Sequence, residues 1–395
     1  MVRMPERQKF YLYCRHNNLD IRDEMGMPDY SYKFVENYFC SSLSKFGEVV
    51  EVSDVTELPS EFSANEFLFV FAPPQETPKA HISNTIAVFA WEYSTIPNEP
   101  LDGNELWNWQ KVLQSSRAAI THSSSTLEAM ELAEITVPKM ALFVPLFEHF
   151  EYLSKEPKNR PWSIVCDGLH WDSAAPSTGT DLFFSEVTYT YVFNPLDGRK
   201  RWEEAVSGFV WAHRSNKDVA LILKLIHKDQ KKVLDKVRQF IQHLGTFQCR
   251  IVIICGFLSD ESYHQLIRGS DYALNTSCGE GQCLPLIEFM SAGVPALSPC
   301  HTAMVDYVNE NNSFVVEHSW SWVPWPNDPL LRFRSMNYPI KWESLCDAYL
   351  ASYHTRKMDE AKYQSMRDSA RDSLFKIASR EVVEEKLLRF IEALD

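Results

Sequence analysis

Short apolar runs punctuate the first part of the chain: FYLYC (10–14), GEVVEV (47–52), EFLFVFA (66–72), TIAVFAW (85–91), AAITHS (118–123) and ALFVPLF (141–147). Their lengths and flanking turn residues are those of buried strands. The stretch YSYKFVENYFCSSLSKF (30–46) instead repeats its apolar residues at steps of three and four, which lays them along one helix face. Strands alternating with such helices predict βαβ units on a parallel sheet.

A second series runs from VTYTYVFN (187–194) through a helix near RKRWEEAVSGFVWAH (199–213), VALILKLI (219–226), DKVRQFIQHLG (235–245), RIVIICG (250–256), ESYHQLIRGS (261–270) and YALNTS (272–277) to a helix opening near Leu284. The fold class is therefore α/β, with two Rossmann-like halves. Between the series, SKEPKNRPWSIVCDGLHWDSAAPSTGTD (154–181) loses its period and gathers Pro, Ser, Gly and Thr, as an interdomain connection does. The expected organisation is a first domain over 1–158, a linker over 159–180, a second domain over 181–375 and a C-terminal helix over 376–395 packing back towards the first domain. That helix is legible in the amphipathic EVVEEKLLRFIEAL (381–394). Residues 317–341 fit neither period, and their Trp320, Trp322 and Trp325 offer either core packing or aromatic faces for a sugar.

Composition narrows the function. A chain of 395 residues exceeds what one core usually supports, so a ligand cleft between two domains is the default site. A net charge of −14 argues against a nucleic-acid surface. Residues 1–160 hold 14 Lys and Arg against 23 Asp and Glu, which disfavours a polybasic membrane anchor. No apolar stretch approaches the ~20 residues that span a bilayer, and the start MVRMPERQKFYLYC lacks a signal-peptide core. The nine cysteines are odd in number and irregularly spaced, which suits a reducing compartment, so a cytoplasmic location is expected. Cys278 and Cys283 have no second pair nearby, and no metal is expected.

The most informative string is NTSCGEGQCLPLIEFMSAGVPALSP (275–299). A strand end, a glycine-flanked turn and a helix whose first amides lack partners make an anion-binding arrangement at the C-terminal edge of a sheet. Glu280 lies in the turn, and Glu288 stands one helical turn after Leu284. Taken singly, Glu280 is a turn residue and Glu288 a solvated helical charge. Taken together, they are placed to grip different hydroxyls of one ligand while the amides of Gly281, Gln282, Cys283 and Leu284 meet its phosphates.

The full string resembles the glutamate-x7-glutamate signature of retaining nucleotide-sugar glycosyltransferases of the large family four. The matching positions are Glu280, Gly281, Leu284, Pro285, Glu288, Met290, Gly293 and Pro295, with Gln282 and Cys283 where the family has Phe-Gly. The segments 256–277, 193–212 and 121–130 resemble further elements of that family. The resemblance implies the GT-B fold, two Rossmann-like domains facing across a cleft. It also implies that Glu288 binds ribose, that Glu280 binds the donor sugar, and that the backbone at Phe257 and Leu258 reads the base. Arg199 and Lys200, at a helix start beside the cleft, are the expected stabilisers of a leaving diphosphate, because adjacent cations offset its developing charge.

The first half departs from that family. Only Gly26 stands in the loop after the first strand, and FAWEYSTIP (89–97) presents Trp91 and Glu92 where the family often has a histidine. Glu92, His122 and Gly26 are therefore the acceptor-side candidates, with a structural role as the alternative for His122. The implied activity is retaining, metal-independent transfer from a nucleotide diphosphate sugar to a carbohydrate hydroxyl, on an acceptor that is either soluble or lipid-carried, with no further cofactor. A non-catalytic GT-B scaffold and a nucleotide-sugar epimerase are the alternatives. A dehydrogenase is disfavoured, because no strand is followed by G-x-G-x-x-G.

Overall fold

The computed structural model describes residues 8–15, 20, 22–23, 25–27, 29–101, 103–155, 163–165, 168–174, 181–325, 328 and 330–394. The N-terminal heptapeptide, part of the 15–31 loop and much of the expected linker lie outside the described residues. Five of the apolar runs become strands β1 (Gln8–Tyr13), β2 (Gly47–Val52), β3 (Glu66–Phe71), β4 (Thr85–Phe89) and β5 (Ala118–Thr121), whereas the sixth, 141–147, gives only its first residue to β6 (Lys139–Ala141) and then runs irregularly into a short helix at Phe147. The six strands form one parallel sheet in the order β2-β1-β3-β4-β5-β6.

Strand alternation assigns its two faces. Phe10, Leu12, Phe67 and Phe69 enter the main core with Phe39 of helix α1 (Asp29–Leu43), whereas Tyr11, Tyr13, Leu68 and Val70 face Leu58 and Phe62. The second face is covered by 3-10 turns rather than helices, at Val55–Glu57, Pro74–Glu76 and Lys79–Asn84. Pro59, Pro73, Pro74 and Pro78 break helix growth there, and Asp54 and Glu57 close the first of these turns as a capping box. Helices α2 (Trp109–Ser115), α3 (Ser124–Leu132) and α4 (Phe147–Phe150) complete this half.

Strands β7 (Ser163–Val165) and β9 (Asp181–Phe183) pair as a short ribbon, and β8 (His170–Asp172) joins the second sheet. That sheet also contains β10 (Val187–Phe193), β11 (Val219–Leu225), β12 (Arg250–Ile254), β13 (Tyr272–Leu274), β14 (Ala296–Ser298) and β15 (Ser313–Val315). Its order is β15-β14-β13-β10-β11-β12-β8, parallel except for β8. Within the 159–180 span, read as a connection from its sequence, β8 is thus an edge strand. Asp172 holds Arg250 at 2.6 Å, and a Cβ added to Gly168 would stand 2.2 Å from the Cys255 carbonyl oxygen.

Helices α5 (Trp202–His213), α6 (Gln230–Gln242), α7 (Asp260–Gly269) and α8 (Leu284–Ser291) cover this sheet. An antiparallel hairpin of β16 (Ser321–Pro324) and β17 (Arg334–Asn337) precedes α9 (Trp342–Met358), α10 (Glu360–Ala378) and α11 (Arg380–Glu392). Helix α11 lies against the first half: Lys45 reaches Glu384 at 2.7 Å, and Val383, Leu387 and Ile391 share the core of Phe39. The halves also meet where Asp306 accepts from the backbone N of Ser124 at 2.9 Å, at the start of α3. No helix among the described residues is long and apolar enough to cross a membrane.

Candidate active site

The site is built where the C-terminal ends of β4, β10 and β13 meet. After β10 the chain turns through Asp197, whose side chain accepts from the backbone N of Arg199 at 3.0 Å and starts the 3-10 turn Gly198–Lys200. The Lys200 carbonyl is anchored by Tyr191 OH at 2.6 Å and Thr276 Oγ1 at 2.9 Å. These bonds hold both basic side chains towards the turn that follows β13.

Lys200 Nζ lies 2.5 Å from Glu280 Oε1, and Ser277 Oγ donates to the same oxygen at 2.5 Å. Arg199 donates to the Gly279 carbonyl at 2.9 Å, to Glu92 at 3.0 Å and to Asp197 at 2.8 Å. The sequence-predicted Arg199, Lys200, Glu280 and Glu92 are thereby brought into one network, in which Glu280 is only 5% exposed. Burial opposes the charge of Arg199 and Lys200, but Glu92 and Asp197 around the first, and Glu280 beside the second, raise both above their ordinary values. Burial also opposes the charge on Asp197, yet Arg199 and Lys200 hold it below the carboxylate range. Glu92 is pushed up by burial despite Arg199. The arrangement holds two permanent cations whose present counter-ions are protein carboxylates.

Glycine serves here for backbone approach. A Cβ on Gly279 would stand 2.8 Å from the Glu92 carbonyl oxygen, and one on Gly281 would stand 2.9 Å from both Ala90 Cβ and Trp91 N. The Cα of Gly281 thus packs against the end of β4, where the two halves close on this turn. Gly281→Val is therefore expected to destabilise the fold by about 1–3 kcal/mol, as overpacking does. Urea denaturation checks it, and an unchanged midpoint would mean that the turn yields without cost.

Three of the five left-handed non-glycine residues among those described adjoin this network: Arg201 (φ +49°), Cys283 (+64°) and Thr302 (+48°). Thr302 Oγ1 accepts from the Glu280 backbone N at 3.0 Å, and the Ala303 N donates to the Glu280 carbonyl at 3.2 Å. Cys283 precedes α8, where the amides of Leu286 and Ile287 both turn back to its carbonyl at 3.0 and 3.2 Å. Gln282 is buried, with its carbonyl held by Tyr307 OH at 2.9 Å, and Leu284 is half-buried.

Glu288 stands apart from Glu280 in its contacts. It accepts from Tyr263 OH at 2.5 Å, and burial pushes its carboxyl up to about 7 against the pull of that hydroxyl. Its charge reaches Tyr30 and Tyr38 of α1, whose phenols are raised first by burial and then by Glu288. Phe257 and Leu258 follow Gly256 (φ +87°) at the end of β12, with Leu258 buried.

Two acceptor-side expectations are corrected. His122 is 1% exposed, its Nδ1 lies 2.9 Å from the Leu142 carbonyl oxygen, and burial lowers its pKa to about 4. It is a neutral core histidine, packed edge-on to Phe39. Gly26 (φ +89°) gives its carbonyl to Asn194 Nδ2 at 3.0 Å, and a Cβ there would meet His227 Cδ2 at 2.8 Å, so it serves packing between the halves. Sequence reasoning missed Asp197, Ser277, Tyr263 and Thr302. Asp197 carried a signal as a helix-start cap two residues before Arg199, whereas a left-handed threonine carries none. No cluster of three or more His, Cys, Asp or Glu among the described residues is arranged to hold a metal ion.

No protein-family model and no curated protein matches the chain. Solved structures do. A glycosyltransferase from Rickettsia africae ESF-5 aligns with a TM-score of 0.60 at 12% identity, over 98% of this chain and 99% of that one. Anabaena HepE in complex with UDP-glucose aligns with a TM-score of 0.59 at 10% identity, over 98% and 99%. Staphylococcus aureus TarM, solved with fondaparinux, α-GlcNAc-glycerol and UDP, gives 0.54 at 11% identity over 85% of this chain, which spans only 57% of TarM. The fold is that of the GT-B glycosyltransferases.

Proposed function

We propose that this GT-B chain is a retaining glycosyltransferase that moves a sugar from a nucleotide diphosphate to a carbohydrate hydroxyl without a metal. The observation that carries the reading is the cluster of half-buried Lys200 and Arg199 around buried Glu280 at the strand ends. Cations held in a water-poor site act on the charge that develops on a leaving diphosphate and need no reorganisation at that moment. In this reading a donor's phosphates exchange with Glu92 on Arg199, and Glu280 passes from Lys200 to the donor sugar. Glu288 accepts from the ribose, and the segment at Phe257 and Leu258 meets the base. Glu92, once displaced, orients the acceptor hydroxyl, whose proton passes to the leaving phosphate on the same face of the sugar. UDP-glucose, the ligand of HepE, is the first donor to test.

The raised carboxyl of Glu288 makes this testable by pH. Its folded value of about 7 lies above the ordinary glutamate value, so the free protein gains stability from the proton below the unfolded value and loses it as pH rises through about 7. Ribose hydroxyls need the ionised form as acceptor. UDP-glucose affinity is therefore expected to fall as pH drops from about 8 to 6, approaching tenfold per unit below the folded value. The diphosphate diester keeps its charge over this range. Calorimetry at stepped pH checks it, and a pH-independent affinity would remove Glu288 from the donor site.

The ion pair of Arg199 with Glu92 also favours a second reading, in which the cleft is permanently closed and the chain is a non-catalytic scaffold. Nucleotide binding without turnover on any acceptor would support it.

A further inference from the structure

The hairpin β16–β17 sorts the three tryptophans of 317–341 into two kinds. Trp325 is 2% exposed and packs against Trp91, Trp107, Trp109 and Phe333, with ring centroids 5.6 to 6.4 Å away. Trp320 and Trp322 are 64% and 53% exposed. Trp322 lies in β16 and Trp320 immediately precedes it, at the two-residue spacing that in extended chain puts side chains on one side, roughly 7 Å apart.

The hairpin next to these two rings is bonded to both halves of the chain. Ser94, two residues beyond Glu92, accepts from the Met336 N at 3.0 Å and donates its own N to Ser335 Oγ at 3.0 Å. Thr95 Oγ1 donates to the Arg334 carbonyl at 2.8 Å. Tyr338 N donates to the carbonyl of Cys278, two residues before Glu280, at 3.0 Å. Met336 and Asn337 are the cross-strand partners of Trp322 and Ser321. Trp322 therefore lies on β16, with Trp320 just before it, and β16 pairs with β17, the strand bonded to the loop that carries Glu92 and followed by the Tyr338 bond to the loop that carries Glu280.

We propose that Trp320 and Trp322 form a stacking platform at the cleft rim for an acceptor glycan, holding sugar units beyond the one that reacts. The inference rests on the glycosyltransferase reading. A pyranose presents an apolar C–H face that packs on the electron-rich face of an indole. A rigid root built on Trp325 lets the rings bind without an ordering cost. A lipid surface fits less well, since an acidic chain is repelled by anionic headgroups, although Leu330 and Leu331 are also exposed in the hairpin loop.

The test applies the full chain and its Trp320→Ala/Trp322→Ala variant to an array of linear and branched oligosaccharides of graded length. Calorimetry with UDP-glucose and a thermal melt run alongside. The wild type is expected to retain at least one oligosaccharide, with longer chains held better than monosaccharides. The variant should lose it by about tenfold or more, with donor affinity and melting temperature unchanged, while Trp320→Phe/Trp322→Phe keeps part of the binding. Retention of no glycan by the wild type, or equal retention by the alanine variant, overturns the platform. So does a variant whose only loss is adsorption to phosphatidylcholine–phosphatidylglycerol vesicles. Tryptophan-dependent glycan binding without donor binding would leave the platform standing and remove the transferase reading.

Discussion

Lys200→Ala is expected to lower turnover by about 10²-fold or more, the scale seen when one preorganised charge-stabilising group is removed. Lys200 touches Glu280 at 2.5 Å and is itself kept protonated by it. Its loss removes a cation from the leaving group and frees the carboxylate at once. Donor affinity should change less, because the charge that Lys200 meets grows as the glycosidic bond breaks. A buried carboxylate without its partner also costs stability, about 3–5 kcal/mol for such a broken pair. The rate is therefore measured well below the variant's melting temperature, with Lys200→Ala/Glu280→Gln as a companion that has no orphaned charge. Unchanged turnover in both would take Lys200 out of the site.

Glu288→Ala carries the second large effect. A carboxylate accepting two ribose hydroxyls makes charge-assisted hydrogen bonds, each worth about 1.5–3 kcal/mol, so donor affinity should fall by at least about 10- to 100-fold. Glu280→Ala should instead act mainly on turnover. The distinction follows from surroundings: Glu280 shares its oxygen with Lys200 and Ser277, while the Glu288 carboxylate accepts from Tyr263 and acts on Tyr30 and Tyr38 of α1. Calorimetry with UDP-glucose separates the roles, and equal wild-type binding by Glu288→Ala would refute its assignment.

The parallel strands β1 to β5 and β10 to β13 were legible because buried parallel strands are continuous apolar runs, easily seen between polar turns; β14 and β15, three residues each, were not. β8 was not, since three residues, His170–Asp172, are too few to show a period and their place is set by β12 and Arg250. That Lys200 and Glu280 sit at strand ends of one sheet was legible, but their direct ion pair was not. The partnership of Arg199 with Glu92 was not, since it spans the two halves and depends on how closely they approach. Gly279 and Gly281 announced a close approach without saying of what; the answer is the end of β4. At His122 the same residue type at a strand end serves as ligand or as core filler, and only its burial against Phe39 and Leu142 decides. Thr302 goes against its own backbone preference to hold Glu280, so no local pattern announced it.

The most direct measurement is calorimetric titration of the wild-type chain with UDP, GDP, dTDP, ADP and CMP and their common sugar conjugates. Selective binding of one nucleotide and its sugar conjugate is the predicted result, and it would establish a nucleotide-sugar cradle between Lys200, Glu280 and Glu288. Binding of none would contradict it and leave a closed GT-B scaffold in which Glu92 is the permanent partner of Arg199.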